Sequence, residues 1–198
     1  MVAAALPAEG RGAGSAKRNR LGVVSLAKRG RIIVNTGDGK GKTTAALGTA
    51  FRAAGHGQRV AIVQFMKGKW TYGELHAIER FPTMTLVRWG TGFTWEKEEL
   101  DEVRALVRHA WDVGRQMAAE GGYDLLVLDE LNYAVDYGFV TADEVVAFLR
   151  SKPDDLSIII TGRRARQEII DEADTVTEMR AIKHAFGGGI RAQKGIEY

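Results

Sequence analysis

The sequence predicts an α/β domain of three layers with a mostly parallel central sheet, and three observations carry that expectation. Six short apolar runs alternate with segments of helical pattern, which implies parallel strands joined by right-handed crossovers. Several of the runs are apolar throughout rather than at every second position, as in strands covered on both faces. A loop rich in glycine and lysine sits where the first run gives way to the first helix.

The elements follow in order. Residues 1–28, rich in Gly, Ala, Lys and Arg and without a sustained period, are expected to form a flexible tail ahead of a domain over 29–198. The first strand is "RIIVNT" (31–36), followed by a helix from Thr43 to Ala54 for which Gly55 is a natural stop. The strands "RVAIVQFM" (59–66) and "MTLVRW" (84–89) come next. A long helix then runs from Trp95 to Glu120 and closes at Gly121-Gly122. After the strand "YDLLVLDE" (123–130), Thr141 with Glu144 three residues on makes a capping box for a helix to Arg150. The strand "LSIIITG" (156–162), a short helix from Arg164 to Ala173 and the strand "DTVTEM" (174–179) complete the pattern.

Charge and composition exclude several classes. The chain of 198 residues has a net charge of +3, but residues 1–30 hold six Lys or Arg against one acid. The remainder carries 22 basic and 24 acidic side chains, so the body is near neutral and offers no nucleic-acid track. Without cysteine there is no disulfide, thiolate metal site or cysteine nucleophile. No stretch approaches the roughly 20 apolar residues of a membrane helix. The apolar patch "MVAAALPA" has its basic residues after it, the wrong order for a secretory signal, so a cytoplasmic protein is expected.

The segment "TGDGKGKTT" (36–44) follows a strand and opens a helix, the context in which a G-x-x-x-x-G-K-[ST] phosphate loop is credible. Thr36 stands where the first glycine usually is, and Gly41, Lys42 and Thr43 complete the pattern. Gly37, Gly39 and Gly41 allow backbone N–H groups to curl around anionic oxygens, and the helix N-terminus adds partial positive charge. Lys42 reaches the outer phosphates, Lys40 adds a second cation, and the Thr43 hydroxyl suits a Mg²⁺ shell. Thr44 completes the nucleotide-binding set. Asp38 would repel phosphate, so it is expected to point outward or toward a ribose hydroxyl or metal. The apolar strand ending in Asp129-Glu130 is a second nucleotide-site signature, one of the pair reaching the metal directly or through water. Lys42, Thr43 and Glu130 are the candidate catalytic residues.

Two motifs exceed what a generic ATPase requires: "RWGTGFTW" (88–95) and "LNYAVDYGF" (131–139). Phe93 and Trp95 present apolar faces either to a flat organic partner or to the core as loop anchors. His56, His76, His109 and His184 are scattered and match no metal-ligand spacing.

With "TGDGKGKTTAALG", "VQFMKG", "WGTGFTW", "VLDELNYAVDYG", "IIITGR", "ADTVTEMR", "IKHAF" and "AQKGIEY" in order, the chain from about residue 20 onward resembles the P-loop (RecA-like) ATP:corrinoid adenosyltransferases of the cobalamin pathway. Threonine typically begins the loop in that family, whereas many members have Asn where Asp38 stands. The resemblance implies transfer of the adenosyl group of ATP to the Co(I) centre of a reduced corrinoid, complete cobalamin or an earlier intermediate, with triphosphate leaving. ATP and corrinoid are then substrates, Mg²⁺ or Mn²⁺ the cofactor, a reduced flavoprotein the electron donor and a homodimer the assembly. It also implies corrinoid binding and lower-ligand removal by Phe93 and Trp95, and a lid role for the N-terminal segment. Arg163 is either a phosphate contact or a helix-capping surface arginine, and the resemblance only suggests roles for Lys183 and Arg191. The chief alternative is a P-loop ATPase or RecA-like motor releasing ADP and phosphate; a small-molecule kinase and a nucleotide-dependent binding module are further alternatives.

Overall fold

The computed structural model describes residues 29–66, 72–89 and 97–198. The expectations for residues 1–28 and for Phe93 and Trp95 lie outside the described residues. Six strands fall at the six apolar runs: β1 (Ile32–Thr36), β2 (Val60–Gln64), β3 (Met84–Arg88), β4 (Leu125–Asp129), β5 (Ser157–Thr161) and β6 (Thr175–Glu178). The helices are α1 (Lys42–Gly55), α2 (Gly73–Ile78), α3 (Lys97–Glu120), α4 (Leu131–Asp136), α5 (Ala142–Ser151) and α6 (Gln167–Asp171).

The strands form one sheet in the order β3-β2-β4-β5-β1-β6, and all five pairings are parallel. This order puts β5 between the strand that leads into the glycine loop and the strand that ends in the acids. Thr161, the last residue of β5, therefore lies between the two motifs.

The continuous apolarity of the strands is explained by two separate cores. Ile32, Val34, Ala61, Val63, Leu126, Leu128, Ile158 and Ile160 pack with Val107, Trp111 and Phe148 on one face. Val60, Ile62, Leu125, Val127 and Ile159 pack with Ala46, Ala50 and Ala53 of α1 on the other. Neighbouring residues of one strand thus serve opposite layers, so the middle of the central strands is apolar on both faces. Gly114, in mid-α3, has a packing reason. A Cβ there would stand 3.2 Å from Leu128 Cδ2, so glycine lets the helix close onto the sheet.

Two helices were not expected from the sequence, α2 and α4, each of six residues. Neither is long enough for a helical period to register. In addition α4 follows β4 with only Glu130 between them, so no Gly or Pro marks the junction.

The capping box of α5 forms as expected. Thr141 Oγ1 accepts from the Glu144 N–H at 3.2 Å, and Glu144 Oε2 accepts from the Thr141 N–H at 2.9 Å. Arg108 of α3 donates to the same carboxylate at 2.8 Å. The Thr141 N–H, and with it Arg108, holds the Glu144 carboxyl below the usual glutamate range against the opposing effect of burial. Its contribution is present above the unfolded-state glutamate pKa and is lost as pH falls through the lower folded value. Thr141→Ala is expected to cost about 1 kcal/mol in urea unfolding at neutral pH, with a smaller difference in acid.

Candidate active site

The carboxyl ends of β1, β4 and β5 meet at one edge of the sheet, where open parallel sheets bind ligands. A cavity of about 430 Å³ opens there between the 38–44 loop, Glu130, Tyr133, Arg163 and the chain end at Glu197 and Tyr198. The loop backbone positions Lys42 at the start of α1, with Gly41 at φ 114° supplying the reversal. Lys42 is only 9% exposed, and its ammonium donates to the carbonyl oxygens of Gly37 at 2.7 Å and Gly39 at 2.6 Å. Burial is the main influence lowering its pKa, opposed by the negative charge of Glu130.

One hydrogen-bonded cluster joins the loop to the acids. Asp129 is fully buried, and its Oδ1 accepts from the hydroxyls of Thr43 and Thr161, each at 2.7 Å. Its Oδ2 accepts from Gln64 Nε2 at 3.2 Å. Glu130 takes a left-handed backbone, φ 69°, which is costly for a residue with a Cβ. The Thr161 hydroxyl oxygen accepts from the Glu130 N–H at 2.9 Å and so helps to hold that conformation. The two acids therefore differ: Asp129 faces the Thr43 hydroxyl from inside the fold, whereas Glu130 lines the cavity.

Among the described residues no group of three or more His, Asp or Glu side chains gathers as an all-protein metal cage. The Thr43 hydroxyl and the Asp129 carboxylate beside the loop are oxygen donors of the kind that could hold a hard cation.

The glycines proved to have a second role. A Cβ on Gly37, at φ 93°, would lie 2.5 Å from the Met179 carbonyl oxygen. One on Gly39 would lie 2.7 Å from the Arg180 carbonyl carbon. The backbone leaving β6 thus crosses directly over the loop, and the Gly39 N–H donates to Met179 O at 2.6 Å. The Gly39 N–H is thereby engaged inside the protein. The Met179 N–H in turn donates to Thr36 O at 2.8 Å.

The remaining expected residues fall as follows. Thr36 Oγ1 accepts from the Ala165 N–H at 3.1 Å, so the hydroxyl that stands in place of a glycine holds the turn after β5. Asp38 faces Arg163, with 3.7 Å between carboxylate and guanidinium, which relieves the expected repulsion. Lys40 pairs with Glu197 at 3.1 Å. Thr44 lines the cavity. Lys183 and Arg191 are exposed, and Arg191 lines a neighbouring cavity of about 500 Å³ that shares Asp38, Arg163 and His184 with the first. Sequence reasoning missed Gln64, Thr161, Asn132, Tyr133 and the chain end. For Gln64 and Thr161 a signal was available: each is a polar residue that closes an apolar run at the carboxyl end of its strand.

Residues 28–198 match the family model described as ATP:corrinoid adenosyltransferase BtuR/CobO/CobP. The chain belongs to this family. It is 47% identical over 171 residues to the corrinoid adenosyltransferase CobA of Salmonella typhimurium, covering 86% of this chain and 87% of that one. The corrinoid adenosyltransferase of Escherichia coli K12 is 46% identical over the same shares. That of a Sinorhizobium species is 39% identical over 186 residues, 92% of this chain and 87% of the relative. Among solved structures, flagellar accessory protein FlaH from Methanocaldococcus jannaschii superposes with a TM-score of 0.51 at 14% identity, covering 76% of this chain and 71% of that one, which speaks to fold alone. As a member of the corrinoid adenosyltransferases the protein is a transferase, and the phosphate-loop architecture that the sequence predicts is present. None of its described helices is long and apolar enough to cross a membrane.

Proposed function

We propose that the protein transfers the 5′-deoxyadenosyl group of ATP to the Co(I) centre of a reduced corrinoid in cobalamin biosynthesis or salvage. The observation that carries the reading is the Thr43–Asp129 hydrogen bond beneath the lysine-bearing loop, in a chain of the adenosyltransferase family. The Co(I) electron pair attacks C5′, the C5′–O bond breaks, and its electrons leave with triphosphate, so that cobalt ends formally as Co(III). Such a nucleophile needs no activating base. The protein must instead stabilise the departing anion and align carbon with cobalt, where alignment contributes up to roughly 7–11 kcal/mol.

Lys42, Lys40 and Arg163 are assigned to the phosphates with the 36–44 backbone, and Glu130 to the wall of the reacting cavity. Thr43 and Asp129 would hold Mg²⁺, and the ion would neutralise triphosphate charge. Phe93 and Trp95 are assigned to the corrinoid face and to displacement of the lower cobalt ligand. A reduced flavoprotein as electron donor, a homodimer, residues 1–28 as a lid and a cytoplasmic location belong to the same proposal.

The deciding experiment supplies MgATP and chemically reduced cobalamin and identifies the products. Triphosphate and light-sensitive adenosylcobalamin are expected. Steady release of ADP and orthophosphate without a cobalt–carbon bond would falsify the reading in favour of a P-loop ATPase. For the corrinoid side, Phe93→Ala is expected to leave ATP affinity within about twofold while slowing Co(II) reduction on the enzyme by about tenfold or more. An unchanged corrinoid spectrum and rate withdraws that assignment.

A further inference from the structure

Arg163 leaves β5 from a turn that side chains of α4 hold on both sides. Thr161 is bonded to Asp129 and to the Glu130 N–H. The Gly162 carbonyl oxygen accepts from Asn132 Nδ2 at 3.1 Å. Gly162 itself stands at φ 127°, and a Cβ on it would lie 2.9 Å from Asn132 Cβ. On the far side, Arg164 has φ 54° and donates to Asp136 Oδ2 at 2.9 Å, with Arg166 3.7 Å from the same carboxylate. The Ala165 N–H is held by Thr36. Every residue flanking Arg163 is therefore fixed, three of them in conformations or contacts that depend on α4, while the Arg163 side chain is left half-exposed beside Asp38 at the cavity.

Asn132 is the telling member. It is fully buried, yet among the described residues its Oδ1 has no hydrogen-bond partner. A leucine of similar shape would fill that space without the desolvation of an amide. Retention of an under-satisfied amide in the core points away from stability and toward its one bond, to the carbonyl immediately before Arg163.

We infer that Asn132, supported by Asp136, is a positioning residue: it sets the direction of Arg163 by fixing the turn on either side of it, and so governs affinity for the triphosphate end of the substrate. The inference rests on the assignment of Arg163 to the phosphates.

Its test is a mutant cycle read by calorimetric titration with inorganic triphosphate and Mg²⁺, alongside thermal unfolding of each variant. Asn132→Leu keeps the packing and removes the donor. It is expected to weaken triphosphate binding by about tenfold while the unfolding midpoint holds or rises. In an Arg163→Ala background the same substitution is expected to change affinity by less than about twofold. Asp136→Asn, a milder change near the surface, is expected to weaken binding by about threefold, again only when Arg163 is present. If Asn132→Leu and Asp136→Asn weaken binding equally with and without Arg163, or not at all, the inference is overturned although Arg163→Ala alone still reports on its own assignment. If Arg163→Ala leaves triphosphate affinity unchanged, the phosphate assignment itself fails and the inference with it.

Discussion

Replacing Lys42 by alanine is expected to lower kcat/KM for adenosyl transfer by about 10²–10³-fold, the usual scale for deleting one preorganised group that stabilises developing negative charge. The argument rests on where the ammonium sits. It is nearly buried and pinned by two loop carbonyls, so it needs little reorganisation to meet an anion at the loop. The same burial lowers its pKa, which gives a second, independent measurement. As pH rises through that lowered value the charge disappears, so ATP affinity falls at a lower pH than an ordinary lysine would dictate. Lys42→Arg stays charged throughout and should move the alkaline limb of ATP binding upward, whatever it does to the rate. An alkaline limb at the same pH in both proteins would assign it to another group.

Gly37→Ala is expected to be the most damaging single methyl in the molecule's nucleotide loop. The left-handed φ of 93° costs about 1–2 kcal/mol for an L side chain. The overlap with Met179 backbone, at 2.5 Å from its carbonyl oxygen and 2.8 Å from its nitrogen, adds about 1–3 kcal/mol because neither atom is the free end of a side chain. Against a typical total of roughly 5–15 kcal/mol, the sum is severe. Thermal unfolding should register it, and limited proteolysis should show cleavage beyond β6 well before the body of the protein opens. A variant with a native unfolding midpoint and an intact chain end would show that the loop and the Met179 crossing move apart cheaply.

Much of this was legible in the residues themselves, for physical reasons that differ from element to element. The strands were visible because burial on both faces forces runs of consecutive apolar side chains, four in β4 before Asp129, and few other environments do. The capping box of α5 was visible because it is closed by residues three apart. The crossing of Met179 over the loop was not, since a glycine that makes room for an anion and one that makes room for another backbone are the same letter. Likewise the clamp on Arg163 joins Asn132 to Gly162 and Thr36 to Ala165, contacts between segments with no local pattern to announce them. Asp38 was marked as anomalous from its charge alone, but the compensating Arg163 became evident only from the fold.

The position of β1 in the sheet bears on how the molecule comes into being. Ile33 pairs with Ile159 on one side and Thr175 on the other, so the earliest of the described strands to be synthesised has both its partners in the last quarter of the 198 residues. Until that stretch emerges, β2, β3 and β4 can associate while β1 presents two bare edges, a topology that folds slowly and tempts intermolecular pairing. Nascent-chain quality control, rather than the chemistry of any side chain, is where sequence changes at the distal end should first be felt.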